Sequence, residues 1–483
     1  MMPESLQRHP RSDMHIARLL AASCIALYVI VLAVVFFIGS SQGASPEKMM
    51  GLTLGSHADT VEYQMLAENM LNEHRFALSP EAPTEFARVP GYPVFIALIL
   101  VIFHTMLVVP VIQIALTAGT VALIYLIGAR YFPRPIALFA AALYMIDPIV
   151  MFATFWPLSE SLFMLLFIGS IYAIDTPAKR TWLPFLVAGI LLGLSAYARH
   201  AGLYLSPIIA CIPAIRALSW HISLRNAAIF IVAALIVMSP WMIRNYSLSG
   251  HFAFSSFTNW ELFVSNMSIF EQARTGIDYQ EIMKMYSAPL GTSDEHLLRQ
   301  FTYSDQLGAI WKEKIFAHPY QYALFHALTT LKLFVSSSIV IVTYHMHQAG
   351  ILPGDHAQGP GTWGMLLQHR WSDALVQTFT HIPRLIERIF LALMYANAFY
   401  TAILALFKRR KESAWIVCIF VLINVYAAMV GTQSDDTKYR IVIEPFIFML
   451  GAYGLYTLWP KIRSYLGFGK ATTLPLFGTK TSS

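Results

Sequence analysis

The chain has 483 residues, 57% of them hydrophobic and only 12% charged, with a formal net charge of +6. An ordinary soluble domain is about 25% charged, so the composition excludes a soluble globular protein and points to an all-α polytopic integral membrane protein. A β-barrel would show short segments of alternating polarity, which these apolar runs lack, and the basic residues form short clusters between runs, where they set membrane orientation rather than bind nucleic acid.

Met1 to Arg18 is polar and basic, with Arg8, Arg11 and Arg18, and precedes an apolar run from Leu19 to Ile38. A cleaved signal peptide has a shorter apolar core of about 7–15 residues. The run therefore reads as an uncleaved first span with a cytoplasmic N-terminus. The polar stretch Ser40 to Pro93 then lies outside and opens a first external loop over about 39–110. Apolar runs follow at about 94–109, 111–128, 135–155, 161–175, 183–198, 201–215 and 226–243. Basic connectors at Arg130/Arg134, Lys179/Arg180 and Arg216/Arg225 are expected to be cytoplasmic. That leaves Trp156–Glu160, Arg199/His200 and Trp241–Tyr246 on the side of the first loop. It also makes 94–109 begin and end outside, so this run lies along the membrane or dips into it.

A second large external loop is expected over about 244–319, with an amphipathic segment from about Glu295 to Phe316. An apolar run follows at 320–345, then a loop rich in Gly, Pro and His from Gly350 to Gly364, and spans near 384–407, 414–431 and 441–460. The basic cluster Lys408 to Lys411 is expected to be cytoplasmic and the Gly431–Lys438 loop external. Counting from the two ends does not agree, so a hidden or half-span must lie near 320–380. The expectation is one transmembrane catalytic domain over 1–460, with about 10–12 spans, and a cytoplasmic tail over 461–483. Cys24, Cys211 and Cys418 all fall inside apolar runs, so no disulfide framework is expected.

Ionisable residues at membrane depth are costly and are functional candidates by default. Asp59 and Glu62 lie on a segment with helical apolar spacing (Val61, Met65, Leu66, Met70, Leu71), preceded by His57. An acidic residue there also offsets a helix dipole by about 0.3–1 kcal/mol, so local sequence leaves cap and site both open. Arg88-Val89-Pro90-Gly91-Tyr92-Pro93 makes a tight entry to the next run, with the Arg just outside; a snorkelling interfacial Arg would read the same way. Ser159 and Glu160 begin a further helix and could simply cap it. Trp241 to Tyr246, with Arg244 and Asn245, closes a span externally, and Lys438-Tyr439-Arg440 sits at the mouth of the last. Arg88, Arg244 and Arg440 thus reach one face beside two carboxylates in a protein poor in charge. Guanidinium forks suit phosphate oxygens, so the conjunction describes a site for a phosphate-bearing lipid. His345, His347, Asp355 and His356 signal a metal only weakly. Asn245-Tyr246-Ser247 and Asn266-Met267-Ser268 fit the glycosylation pattern, which is frequent by chance.

In order and spacing these patches resemble the polyprenyl-phosphate-dependent glycosyltransferases of the GT-C fold, in particular the bacterial relatives of protein O-mannosyltransferases and lipid A aminoarabinose transferases. The resemblance is carried by Asp59 with Tyr63, by Arg88 to Pro93, by Pro157 to Glu160, by Pro240 to Asn245 with Gly250 and Asn266 following, and in part by Lys438 to Pro445. Val442 stands where a proline is common. The resemblance implies juxtamembrane helices in the first loop and a sugar donor carried on polyprenyl phosphate. The acceptor would be a hydroxyl of a lipid, glycan or protein. It also implies an active site on the external face of a bacterial inner membrane and a single inverting displacement. Asp59 would be the base and Glu160 would orient the acceptor or the sugar. Arg88, Arg244 and Arg440, with Asn245 and Lys438, would bind the donor phosphate, while Tyr63 and Tyr92 shape the sugar pocket. A divalent metal is neither required nor ruled out. The competing readings are a transporter or lipid flippase, and a glycan polymerase or ligase using a diphosphate-linked donor. Transporters place polar residues near the bilayer midplane on broken helices, whereas the candidates here gather at one face.

Overall fold

The computed structural model describes residues 10–465 apart from 53–57, 175, 177–180, 206–207, 210–219, 352–364, 366–367, 369, 373–381, 408–410 and 434–436. His57, Cys211, Arg216, Lys179/Arg180, most of the Gly350–Gly364 loop with Asp355 and His356, Lys408 to Arg410 and the tail beyond 465 lie outside the described residues. All regular structure among the described residues is helical.

The chain runs α1 (Pro10–Ser41), α2 (Pro46–Met49), α3 (Ala58–Asn72), α4 (Gly91–Phe103), α5 (Val109–Tyr131), α6 (Arg134–Ile146), α7 (Pro148–Phe155), α8 (Glu160–Ile174), α9 (Leu183–Ala198) and α10 (Trp220–Ser249). The second loop holds α11 (Phe257–Glu261), a π-helical segment (Leu262–Ser268), α12 (Ile269–Thr275), α13 (Tyr279–Ser287), α14 (Glu295–Leu298) and α15 (Phe301–Ala317). Then come α16 (Pro319–Val335), α17 (Ser338–Gln348), α18 (Ile382–Phe407), α19 (Lys411–Val430) and α20 (Glu444–Tyr465).

Five described helices are long and apolar enough to cross a membrane, and seven spans result if each of two bent pairs counts as one. The run at 94–109 does not form one helix. It gives α4, whose 13 residues extend roughly 20 Å at 1.5 Å per residue, short of a hydrocarbon core about 30 Å thick. α4 ends where His104 takes a left-handed conformation at φ 55°, and the span proper starts afterwards in α5. Gly91 lets α4 lie on α9, because a Cβ there would meet the Tyr197 carbonyl at 2.6 Å.

Within the stretch where an irregularity is expected, a 78° break separates α16 from α17. A matching 53° break separates α6 from α7 at Asp147, whose side chain caps α7 by accepting from the Ile149 amide at 2.9 Å. One buried cluster fastens both. The Arg440 guanidinium donates to the Ser336 carbonyl, to Ser338 Oγ at 2.6 Å and to Glu444 at 2.6 Å. Glu387 accepts from the Ser338 amide at 2.7 Å, and Ser338 Oγ donates to Asp147 at 3.3 Å. Broken backbone at membrane depth is tolerated only where such partners satisfy it.

The second loop has an apolar core of its own, built on Trp260, Phe263, Met267, Met283, Leu298 and Leu307. Its expected amphipathic segment is split. Asp294 caps α14, the chain turns at Arg299, and Gln300 is extended at φ −73°, ψ 152° before α15. That turn sends Arg299 inward.

Candidate active site

Asp59 and Glu62, three residues apart in the first turns of α3, share a helix face. Arg88 lies between them. Its Nη2 donates to Asp59 Oδ1 at 2.7 Å and its Nε to Glu62 Oε2 at 2.6 Å. The approach to Arg88 is itself pinned, because the buried Glu85 carboxylate accepts from the amides of Ala87 at 2.6 Å and Arg88 at 3.0 Å. The second loop is fastened along the same strand of chain: the Ser256 amide donates to the Phe86 carbonyl at 3.1 Å and Ser255 Oγ to that of Ala87 at 2.7 Å.

Two cations from distant sequence complete the cluster. Lys438 Nζ donates to Asp59 Oδ2 at 2.7 Å, and Arg299 Nη1 to Glu62 Oε1 at 2.8 Å. Burial would raise the Glu62 carboxyl, but Arg88 and Arg299 outweigh it and hold the group below its ordinary value. Burial would likewise lower Arg88, yet Glu62 and Asp59 keep its guanidinium firmly charged. A second arm comes from α8 and α9, where Arg199 ion-pairs with Glu160 and donates to Ser159 Oγ at 3.4 Å. Ser159 also meets the Tyr63 hydroxyl at 3.4 Å.

These groups border a cavity of about 700 Å³ between the two loops and the ends of α9, α16 and α19. Asp59, Tyr63, Arg88, Arg199, Arg299 and Lys438 form its polar end, and Leu262, Ile269, Tyr322, Tyr426, Met429 and Val430 are among the other side chains that line it. Asp59 is the most open of the ion-paired groups, with 23% of its side chain exposed against 13% for Arg88 and 6% for Lys438. Asp59 therefore opens onto the cavity with Arg88 and Lys438 directly beside it.

Of the residues singled out from sequence, the structure brings Asp59, Tyr63, Arg88 and Lys438 to the cavity wall. Glu160 stands behind that wall, 3% exposed, and reaches the cavity only through Arg199. Tyr92 is fully buried; its hydroxyl donates to Gln113, whose amide holds the carbonyls of Thr154 at 2.8 Å and Trp156 at 2.7 Å. Asn245 is also buried and donates to the carbonyls of Ala253 at 2.9 Å and Phe254 at 3.1 Å, shaping the turn after α10. Arg244 packs its guanidinium against Phe76, Phe86 and Trp241 and donates to the Glu85 carbonyl at 3.3 Å. Arg440 is fully buried at the helix breaks. So of the three arginines expected to converge, one lines the cavity, and Arg199 and Arg299 are the others that do. Asn245 and Asn266 are both buried, which removes both glycosylation patterns.

Sequence reasoning also passed over His200 and Glu261 on the cavity wall. The His200 ring packs on Phe257 with centroids 4.3 Å apart. Burial, with Arg199 and Arg88 adding, pushes its pKa down to about 3, so it is a neutral ring at physiological pH. As for a metal, His345 is a packed ring against Phe152 and Trp156, and no group of three or more His, Cys, Asp or Glu among the described residues could hold one. Asp59 sits between a guanidinium and an ammonium, surroundings that repel a divalent cation. The described residues do not fit a metal there.

No family model matches the chain, and no curated protein sequence does. Solved structures do. The archaeal oligosaccharyltransferase AglB from Archaeoglobus fulgidus, in complex with an inhibitory peptide and a dolichol-phosphate, is 12% identical, with a TM-score of 0.46 over 94% of this chain and 52% of that one. The Archaeoglobus fulgidus oligosaccharyltransferase in the apo form is 13% identical, with a TM-score of 0.48 over 91% and 51%. ArnT from Cupriavidus metallidurans bound to undecaprenyl phosphate is 15% identical, with a TM-score of 0.40 over 95% and 83%. The chain spans about half the length of the archaeal structures it matches.

Proposed function

We propose that the chain is a membrane glycosyltransferase that moves one sugar from a polyprenyl-phosphate carrier to a hydroxyl acceptor, on the non-cytoplasmic face of a bacterial inner membrane. The observation that carries this reading is the polar end of the cavity, where Asp59 opens onto the space with Arg88 and Lys438 each 2.7 Å away and Arg199 and Arg299 alongside. A candidate base and a cluster of phosphate-binding cations share one pocket, whose lining also includes apolar side chains.

The acceptor hydroxyl donates to Asp59, and its oxygen attacks the anomeric carbon. The bond to the phosphate oxygen breaks on the opposite face, so configuration inverts. Asp59 takes the proton, a role worth about 10²–10⁴-fold in rate. Arg88, Arg199, Arg299 and Lys438 bind the phosphate and stabilise the charge that develops on it as it leaves. Preorganised donors of this kind act strongly in a pocket shielded from water. Glu160 and Glu62 are positioning residues that hold Arg199 and the Arg88–Arg299 pair. Arg244, Asn245, Tyr92 and Arg440 support the wall rather than touch substrate.

Purified protein in proteoliposomes, offered a panel of polyprenyl-phosphate sugars and a membrane lipid extract, should yield a mass-shifted acceptor and free polyprenyl phosphate. Movement of the donor across the bilayer with no covalent product would show a flippase instead. Consumption of only diphosphate-linked donors would show a polymerase or ligase.

A further inference from the structure

The cavity wall changes character along the second loop. Glu261 ends α11, and the π-helical segment Leu262–Ser268 follows it directly. This segment turns Phe263, Val264 and Met267 into the loop's own core and leaves Glu261, Ser265 and Asn266 on the cavity. Ser268 Oγ donates five residues back, to the Phe263 carbonyl at 2.9 Å, inside the widened turn. Such turns are rare and occur frequently at functional sites. From the membrane bundle, the Gln433 amide donates to Glu261 and the Tyr322 hydroxyl donates to Asn266 Oδ1 at 2.9 Å. Asn266 is only 4% exposed, yet it lines the cavity. No acceptor for its Nδ2 is found among the described residues, so the two N–H groups there are what it offers to the cavity.

We propose that Glu261, Asn266 and Gln433 form the subsite that binds the hydroxyls of the transferred sugar, and that this sugar is a neutral hexose or pentose. This rests on the carrier reading above and names its substrate class. Glu261 lies close enough to Arg88, Arg299 and Asp59 to feel their charges. A group bound at Glu261 therefore adjoins both the phosphate site and the candidate base. The donor's sugar is joined directly to the carrier phosphate, so its ring occupies that neighbourhood when the anomeric carbon is near Asp59.

A hydroxyl both donates and accepts. One ring hydroxyl can donate to the Glu261 carboxylate while its neighbour accepts from Asn266 Nδ2, and Gln433 Oε1 adds a further acceptor. A carboxylate and two amides side by side therefore suit adjacent hydroxyls. They do not suit a charged sugar. An ammonium has only donors, so it would leave Asn266 Nδ2 without an acceptor, and it would stand near the Arg88 and Arg299 guanidiniums. The carboxylate of a uronic acid would meet Glu261 itself. Buried groups left unpaired cost affinity, and a site built to hydrogen-bond a hydroxyl rejects the analogue that lacks it.

The test measures binding to the full-length protein in detergent, with no acceptor present. The probes are undecaprenyl phosphate alone and undecaprenyl-phosphate donors bearing neutral hexoses and pentoses, their single-deoxy analogues, an amino sugar and a uronic acid. A neutral donor should bind tightest, and at least one of its deoxy analogues should bind about 10–100-fold more weakly. Asn266→Ala and Glu261→Gln should each weaken that neutral donor by a similar factor. Each should leave the affinity for undecaprenyl phosphate alone unchanged, and each should cost much less on the deoxy analogue whose contact is already gone. A residue that only supports the fold would weaken every ligand alike. Tightest binding of the amino-sugar or uronic donor, or no discrimination against any deoxy analogue, overturns the proposal in the unmodified protein and leaves the carrier reading standing. Variants that weaken undecaprenyl phosphate as much as the donor also overturn it. So do variants that slow transfer with donor binding intact, because they assign the subsite to the acceptor. If one variant fails to fold, the other and the unmodified protein's ranking still decide. Failure of undecaprenyl phosphate and of every donor to bind removes the carrier reading itself.

Discussion

Replacing Glu62 by glutamine removes the charge that two buried arginines share while leaving the shape of the side chain nearly intact. Glu62 Oε2 accepts from Arg88 at 2.6 Å and Oε1 from Arg299 at 2.8 Å, and the side chains are only 9%, 13% and 8% exposed. Solvent screening is therefore slight. Removing one partner of a buried pair costs about 3–5 kcal/mol, chiefly because it strands the other charge, and here two cations lose part of their compensation. The Gln amide would also point a donor at one guanidinium. The variant should lose about 3 kcal/mol or more in thermal or denaturant unfolding in detergent, and the loss should be confined to the docking of the second loop on α3. Because Arg88 then drifts, KM for a polyprenyl-phosphate sugar should rise. A double-mutant cycle with Arg299→Met should return a coupling of about 1–3 kcal/mol. The sign with pH follows from the depressed Glu62 value: its stabilisation is full above the unfolded pKa of about 4.3 and is lost as pH falls through the lower folded value. The parent should therefore show no loss from this group between neutral pH and about pH 5. A Glu62→Gln protein as stable as the parent, with additive behaviour in the cycle, would refute the reasoning.

Tyr92→Phe strands Gln113 Oε1 in a buried site, so stability should fall by about 1–3 kcal/mol while KM for the donor stays put. A large change in KM at unchanged stability would instead return Tyr92 to the sugar pocket. Arg440→Met leaves Glu444, Asp147 and Glu387 around an empty charge position and should cost at least about 3–5 kcal/mol, with poor yield of folded protein. Arg440→Lys should recover part of that. A stable Arg440→Met protein that no longer binds undecaprenyl phosphate would show that Arg440 contacts the carrier.

The sequence was most informative where function depends on short spacing. Asp59 with Tyr63, and Arg88 before two prolines, can be recognised because each patch is local and polar in an oily chain. The contact between Asp59 and Lys438 joins the first loop to the segment before α20 across nearly the whole chain, a pairing that no local spacing announces. Arg299 was not legible. It lies 237 residues from Glu62, in a segment that also carries exposed Lys312 and Lys314, and only the turn between α14 and α15 distinguishes it. Arg440 misled for the opposite reason. It looks like an external arginine next to Lys438, but two residues along a 3-10 turn direct their side chains differently, and it enters the helix breaks. The break between α16 and α17 showed only as a mismatch in the span count, because Ser336 and Ser337 carry no breaker signature, whereas Asp147-Pro148, a turn signal, lay inside the run read as continuous over 135–155.

The central claim is that Asp59 accepts the acceptor's proton in a transfer from polyprenyl phosphate. Asp59→Asn keeps the size of the side chain and an acceptor for Arg88, so the direct measurement is kcat for sugar transfer by this variant, with its folding checked by thermal unfolding and its binding by undecaprenyl phosphate affinity. The account predicts a fall in kcat of about 10²–10⁴-fold in a protein that still folds and still binds the carrier. Full activity in a well-folded Asp59→Asn protein would contradict it.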